Sequence, residues 1–186
     1  MRHCLLAIPL TLLAFSIAQA DDHDHDHGSL AKHEHGIANI NVALDGDKLE
    51  ILLESPAMNI VGFEHAATST ADQASVAAAK AALEQPLKLF ALPASAGCLV
   101  NQTEVESALF QSAATSSPAS DDEGEAHSDI DADYQLSCSK PADLKSISLE
   151  PLFKQFPGTQ KIAVQLIGPN GQKGAELTPA SAAIDF

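Results

Sequence analysis

The stretch that decides the fold is Ile37-Ala-Asn-Ile-Asn-Val-Ala-Leu-Asp-Gly-Asp-Lys-Leu-Glu-Ile-Leu-Leu53. Apolar residues occupy every second position on both sides of Asp45-Gly46-Asp47, namely Ala38, Ile40, Val42 and Leu44 before it and Leu49, Ile51 and Leu53 after it. Residues two apart in an extended chain face the same way, and Asp-Gly favours a tight turn between antiparallel strands. The stretch therefore predicts a β-hairpin with one buried face.

Working outward, an irregular segment follows Glu54-Ser-Pro56 and extends to His65. A capping box at Thr70–Gln73 then predicts an alanine-rich helix that runs to about Gln85, where Pro86 ends it. The other predicted elements are, in order, a strand at Leu87–Leu92, one long strand or a strand pair at Cys98–Leu109, a second hairpin formed by Tyr134–Cys138 and Leu144–Leu149, a short helix near Leu152–Phe156, a strand at Ile162–Ile167, a turn at Gly168–Gly171 and a closing strand toward Phe186.

The order of elements is similar in the two halves of the chain, which suggests an internal duplication. The predicted fold is α+β, with antiparallel sheets and two similar ββαββ-like halves in a pseudo-twofold relation. The predicted segments are a signal peptide at 1–20, a flexible His/Asp-rich tract at 21–36, the first half at 37–110, an acidic flexible loop at 111–133 and the second half at 134–186.

The amino-terminal residues predict export to the periplasm. A basic start at Arg2 and His3 precedes an apolar stretch, and Ala18-Gln19-Ala20 has the small residues that signal peptidase requires. A membrane anchor is the alternative, but the apolar stretch is shorter than the ~20 residues that a span needs. We expect cleavage after Ala20 and no membrane span afterwards.

Two cysteines, Cys98 and Cys138, remain after the signal peptide is removed. An oxidising compartment favours a disulfide between them. The alternative is a pair of thiolate ligands for zinc, which lacks the close C-x-x-C spacing of structural zinc sites.

The charge of the chain argues against nucleic acid as a partner. Lysine and arginine number 10 against 25 carboxylates, the formal net charge is −15, and Arg2 is the sole arginine. Phosphate backbones would be repelled, and the mature chain has no guanidinium to bind phosphate or guanine. Small cations are the natural counter-charge.

Histidines carry the most specific chemical signal. The tract at 21–35, DDHDHDHGSLAKHEH, places imidazoles beside carboxylates, and such mixed ligands chelate zinc, copper or nickel. His33 and His35 point the same way in an extended chain and can converge on one ion. The candidate metal ligands are His23, His25, His27, His33, Glu34, His35, Glu64, His65, His127 and Asp129. His65 and His127 could equally be ordinary surface histidines, because a shared site requires their loops to meet.

The sequence contains few patterns that are typical of enzymes. Ser55 and Ser69 lack the context of a nucleophile elbow, His33-Glu34-His35 is too closely spaced for a helical metalloprotease pair, and there is no glycine-rich phosphate loop. We therefore expect a protein that is not an enzyme. A metal-dependent hydrolase is a weaker alternative.

Several segments together resemble the ZrgA-like zinc-regulated periplasmic proteins. They are His33–Gly46, Leu53–His65, Cys98, His127-Ser-Asp129 ahead of Tyr134 and Cys138, Leu152–Gly158, Gly171-Gln172 and Leu177-Thr-Pro179. The resemblance covers nearly the whole mature chain. It implies a periplasmic zinc-binding protein that is expressed when zinc is scarce and assists uptake through a zinc transporter. Members of the family often carry a histidine-rich insertion between the halves, whereas 111–133 here holds a single histidine, His127, among many carboxylates.

The sequence thus favours capture of zinc, or a similar divalent transition metal, and its delivery to a zinc ABC transporter or its solute-binding protein. The alternative is an acidic interaction module that docks such a partner, with the metal only structural.

Overall fold

The computed structural model describes residues 34–110 and 128–186. The predicted signal peptide, His23, His25, His27, His33 and His127 lie outside the described residues. The described part has eight strands and four α-helices, joined by three short 3-10 turns. The strands are β1 (Ile37–Asp45), β2 (Lys48–Pro56), β3 (Cys98–Glu106), β4 (Asp129–Cys138), β5 (Ser146–Ser148), β6 (Lys161–Gly168), β7 (Gly171–Leu177) and β8 (Ala183–Asp185). The helices are α1 (Ala57–Ile60), α2 (Thr70–Leu83), α3 (Pro86–Leu89) and α4 (Glu150–Gln155).

Six strands form one sheet in the order β3-β4-β2-β1-β6-β7, and β5 pairs with β8 in a second, two-stranded sheet. All neighbours in the large sheet are antiparallel except β1 and β6, which are parallel. The mixed α+β class is confirmed, with a mostly antiparallel sheet and few helices. The first hairpin is also confirmed, since Asp45 pairs with Lys48 across the turn.

One face of the large sheet forms the core. Along β2 exposed and buried residues alternate, and Leu49, Ile51 and Leu53 are at most 1% exposed. This face packs with α2 to α4 and the small sheet into one hydrophobic cluster that includes Leu83 and Leu152. The opposite face carries the exposed residues of the same strands. The alternation in the sequence therefore reflects one buried and one exposed face of the sheet, as predicted.

The second predicted hairpin is wrong. The strand β4 lies between β2 and β3, while Ser146–Ser148 pairs with Ala183–Asp185. The segment between the two predicted strands forms a 3-10 turn at Pro141–Asp143 instead of a hairpin loop. Strands from both halves thus share one sheet. The pseudo-twofold relation is not confirmed and stays a prediction.

One further element and one boundary differ from the sequence predictions. Leu87–Leu92 is not a strand, because Pro86 opens the short helix α3 as its first residue, a position that suits proline. The acidic loop predicted for 111–133 does not extend that far, since β4 begins at Asp129. Ile130 and Ala132 are buried between outward-facing acidic residues, so this acidic stretch is an amphipathic strand.

The disulfide prediction is confirmed: Cys98 and Cys138 are bonded and are direct partners in the pairing of β3 with β4. The alternative of two thiolate zinc ligands is therefore wrong. This bond lies at one end of β4, and Asp129, which follows Ser128 and His127 in sequence, lies at the other end.

None of the helices in residues 34–110 and 128–186 has the length and apolar character needed to cross a bilayer.

Candidate metal site

Four segments of the chain meet at one end of the large sheet. The start of β1, the end of β2, the start of β4 and the start of β6 lie together because Ile37 pairs with Lys161 and Pro56 pairs with Asp129. The helix α1 continues from β2 and leads to Glu64 and His65. Residues far apart in the sequence are therefore neighbours at this end.

His35 and Glu64 form the central pair of this end. The Nε2 atom of His35 lies 3.1 Å from Oε1 of Glu64, a distance within reach of a hydrogen bond or ion pair. The His35 side chain is 49% exposed, whereas the Glu64 side chain is only 12% exposed. A solute would thus meet the imidazole at the surface and the carboxylate behind it.

The separation of these two atoms suits a shared metal ion. Zinc binds nitrogen and oxygen ligands at about 2.0–2.2 Å, so two ligand atoms on one tetrahedral ion lie about 3.4 Å apart. The 3.1 Å between Nε2 and Oε1 differs from that value by a few tenths of an ångström. The pair could therefore bind an ion without a large movement of either backbone.

The loop that follows His127 reaches the same place. Ser128 donates a hydrogen bond from its Oγ to the backbone carbonyl of Glu64 at 3.2 Å, and its own carbonyl accepts from the Ala57 amide at 2.8 Å. The sequence left open whether the segments around His35, His65 and His127 meet. The residue after His127 is anchored to the segment that carries Glu64.

His65 is next to Glu64 in sequence, but its ring has other contacts. The ring stacks on Phe63 with centroids 4.7 Å apart, and Nδ1 lies 3.1 Å from the carbonyl oxygen of Ala66. Within residues 34–110 and 128–186, no three His, Cys, Asp or Glu side chains are grouped so as to hold a metal ion. His65 therefore does not complete a three-ligand group with His35 and Glu64.

The other two described candidates lie at the edges of this region. Glu34 is exposed, and its carbonyl accepts a hydrogen bond from the Ile37 amide in the turn before β1. Asp129 is exposed at the start of β4, and its carbonyl accepts from Ser107 Oγ. Its charge acts on Asp131, which indicates that the two carboxylates share a face of the sheet.

That face carries a group of carboxylates on three neighbouring strands. Asp131 of β4 pairs with Glu54 of β2 and with Glu106 of β3. Partial burial raises the pKa of Asp131 above its usual value, and the negative charges of Glu54, Asp129 and Glu106 raise it further. Four carboxylates thus lie close together on this part of the outer face.

Sequence reasoning missed Asn59, which is 3% exposed. Its Oδ1 accepts from the Gly36 amide at 2.6 Å, and its Nδ2 donates to the Ile37 carbonyl at 2.9 Å. A buried asparagine with backbone partners on another segment looks like any loop asparagine in a sequence, so no available signal could have found it.

The fold is mixed α+β, and the histidine and carboxylate paired at one end of its sheet are side chains of the kinds that bind zinc. A comparison with protein-family models matches residues 32–186 to the ZrgA family zinc uptake protein. The chain therefore belongs to the ZrgA family of zinc uptake proteins. A search of curated proteins found no match.

Proposed function

We propose that this protein captures zinc in the periplasm and assists its uptake by delivering the ion to a zinc transporter. The observation that carries the proposal is the His35–Glu64 pair, 3.1 Å apart, in a chain that belongs to a zinc uptake family. Membership of that family supports zinc over other divalent transition metals. In this proposal the protein is exported, loses its signal peptide after Ala20 and is not an enzyme.

In the proposed site, His35 and Glu64 supply two ligands. A zinc ion takes four protein ligands in most structural sites, and three with one open position in catalytic sites. We propose His33 and His127 as the remaining ligands, because each is close in sequence to a residue of this region, Glu34 or Ser128. Glu34 and Asp129 are further candidates at the edges of this region, and His65 would contribute only if its ring left Phe63 and the Ala66 carbonyl. His23, His25 and His27 would serve as a tract that captures zinc from solution.

The direct test is a zinc titration of tag-free protein at pH 7.4 and pH 5.5. Ligation needs neutral imidazole, and an imidazole with the ordinary pKa of about 6.5 is mostly protonated at pH 5.5, so each histidine ligand weakens binding about tenfold at the lower pH. Equal affinities at the two pH values would exclude histidine ligation.

Variants locate the site. His35→Ala and Glu64→Gln should each weaken zinc binding at least about tenfold, since each removes a direct ligand. His65→Ala is the matched control for the histidine and Glu50→Gln, on the exposed face of β2, is the control for the carboxylate. Removing residues 21–32 tests the tract separately and should lower the number of ions bound while the site at His35 stays intact. The site is refuted if the two controls weaken binding as much as the two site variants.

A second candidate function is docking of a transporter or solute-binding protein by the acidic outer face, with the metal only structural. The observation that favours it is the row formed by Glu54, Asp131 and Glu106 across three strands. Zinc uptake in cells separates the two functions. Loss of uptake in the Glu54→Gln and Glu106→Gln double variant, together with normal uptake in His35→Ala, would favour docking over delivery.

A further inference from the structure

Asn59 connects the segment that carries His35 with the segment that carries Glu64. It lies in α1, five residues before Glu64, and its side chain hydrogen-bonds the backbone of Gly36 and Ile37, directly after His35. A third hydrogen bond runs from Nδ2 to Ser55 Oγ at 3.2 Å, at the end of β2. One amide side chain thus joins both segments to the edge of the sheet.

The segment after His35 is also held from its other side. The Gly36 carbonyl accepts hydrogen bonds from the amides of Gln160 at 2.8 Å and Lys161 at 2.9 Å. Gly36 has a φ of +90°, which side-chain-bearing residues rarely adopt. The backbone next to His35 is therefore held in one conformation, and the Asn59 side chain accepts the hydrogen bond of the Gly36 amide.

The backbone of Asn59 is equally confined. A Cβ on Gly158 would lie 2.6 Å from the Asn59 carbonyl oxygen, so the chain before β6 packs directly against α1. Because Asn59 is 3% exposed, water cannot replace the hydrogen bonds between its side-chain amide and the backbone of Gly36 and Ile37 when they are lost. Asn59 is thus a buried bridge between the backbone that follows His35 and the helix that leads to Glu64.

We propose that Asn59 is a positioning residue for the metal site. It ties the backbone directly after His35 to the helix that leads to Glu64, so that Nε2 and Oε1 stand at a metal-binding separation before the ion arrives. This inference rests on the proposed function, because it assumes that these two side chains bind zinc. Groups that orient a metal ligand without touching the metal change affinity by about 10-fold to 100-fold when removed.

The test compares zinc affinities of the full mature protein in a double-mutant cycle. Asn59→Ala should weaken zinc binding about tenfold. In the His35→Ala background the same change should alter zinc affinity by less than about twofold, because there is no longer a pair of ligands whose separation Asn59 sets. Equal losses in the two backgrounds would show a merely structural role and overturn the proposal.

Two further variants keep the outcome decisive. Leu166→Ala removes a fully buried side chain near the other end of β6, so it should lower stability without changing zinc affinity. Asn59→Asp retains the acceptor for Gly36 and loses the Nδ2 donor to Ile37 and Ser55, so it should show an intermediate loss of affinity. Because it places a carboxylate at a buried position, its free energy of unfolding is measured beside its zinc affinity. If Asn59→Asp and Asn59→Ala both bind zinc like the unmodified protein, the proposal fails. If His35→Ala itself binds zinc normally, the proposed function fails instead.

Discussion

Replacing both Cys98 and Cys138 with alanine should lower the free energy of unfolding by about 4 kcal/mol. The bond joins residues 40 positions apart. For a closed loop of that size the chain-entropy relation gives a loss of about 13 cal/mol/K in the unfolded chain, or about 3.9 kcal/mol at 25 °C. The bond also attaches the edge strand β3 to β4 at their first and last residues, so β3 should be the first strand to open without it.

Urea unfolding of the double variant, followed by far-ultraviolet circular dichroism, measures this loss. The unmodified protein with a reducing agent should lose the same stability, whereas the reducing agent should have no effect on the alanine variant. Zinc affinity should remain unchanged, because the bond lies at the end of β4 opposite Asp129. A loss below about 1 kcal/mol would refute the reasoning, since it would mean that the unfolded chain is not restrained by the loop.

Three further predictions concern single sites. Tyr134→Phe should cost about 1–3 kcal/mol in a thermal or urea melt, because the Leu83 carbonyl at the end of α2 loses its buried hydrogen-bond donor, now at 2.9 Å. Burial raises the pKa of Tyr134 above its ordinary value, so tyrosinate absorbance should develop only as the protein unfolds at high pH. Asp131→Asn should stabilise the protein by about 0.5 kcal/mol at pH 7, since it removes like charges from paired positions. The raised pKa of Asp131 means that its contribution is most favourable below its usual 3.8 and is lost as the pH rises, so the gain should vanish at pH 3. Zinc at a hundred times its dissociation constant should raise the stability by about 2.7 kcal/mol in the unmodified protein. At the same zinc concentration His35→Ala, which binds at least about tenfold more weakly, should gain about 1.4 kcal/mol or less.

The parts of the fold that the sequence could predict are those set by local pattern. The first hairpin follows from alternation around Asp45-Gly46, and α2 ends at Leu83, close to the predicted stop before Pro86. The capping residue of α2 is Ser69 and not the predicted Thr70, since Ser69 Oγ accepts from the Asp72 amide. Local pattern fixes an element but says little about its distant partners.

The parts that could not be predicted depend on long-range pairing. Nothing near Tyr134 indicates that β4 enters between β2 and β3, because the partners lie at least twenty-five residues away in either pairing. The misplaced boundary at 111–133 has a different cause. Acidic residues on the outer face gave Asp129–Asp133 the composition of a disordered loop, although Ile130 is fully buried.

The candidate site shows the same division. Residue types alone marked His35 and Glu64 as candidate ligands, but only the pairing of β1 with β6 and of β2 with β4 brings their segments to one end of the sheet. The fixed separation of Nε2 and Oε1 depends on Asn59, whose partners are backbone atoms twenty-two and twenty-three residues away. A contact between a side chain and a remote backbone leaves no trace in composition or periodicity.

The charge of the protein raises the question of how zinc would be selected over more abundant hard cations. A net charge of −15 attracts every dication, and the carboxylates of Glu54, Asp131 and Glu106 offer the oxygen ligands that calcium and magnesium prefer. Imidazole discriminates, because it suits zinc and not those ions. Millimolar calcium should therefore leave the zinc affinity of the site within about twofold of its value without calcium. The comparison should be made at constant ionic strength, because added salt screens surface charge. A large loss of affinity in calcium would mean that carboxylates, and not His35, hold the zinc.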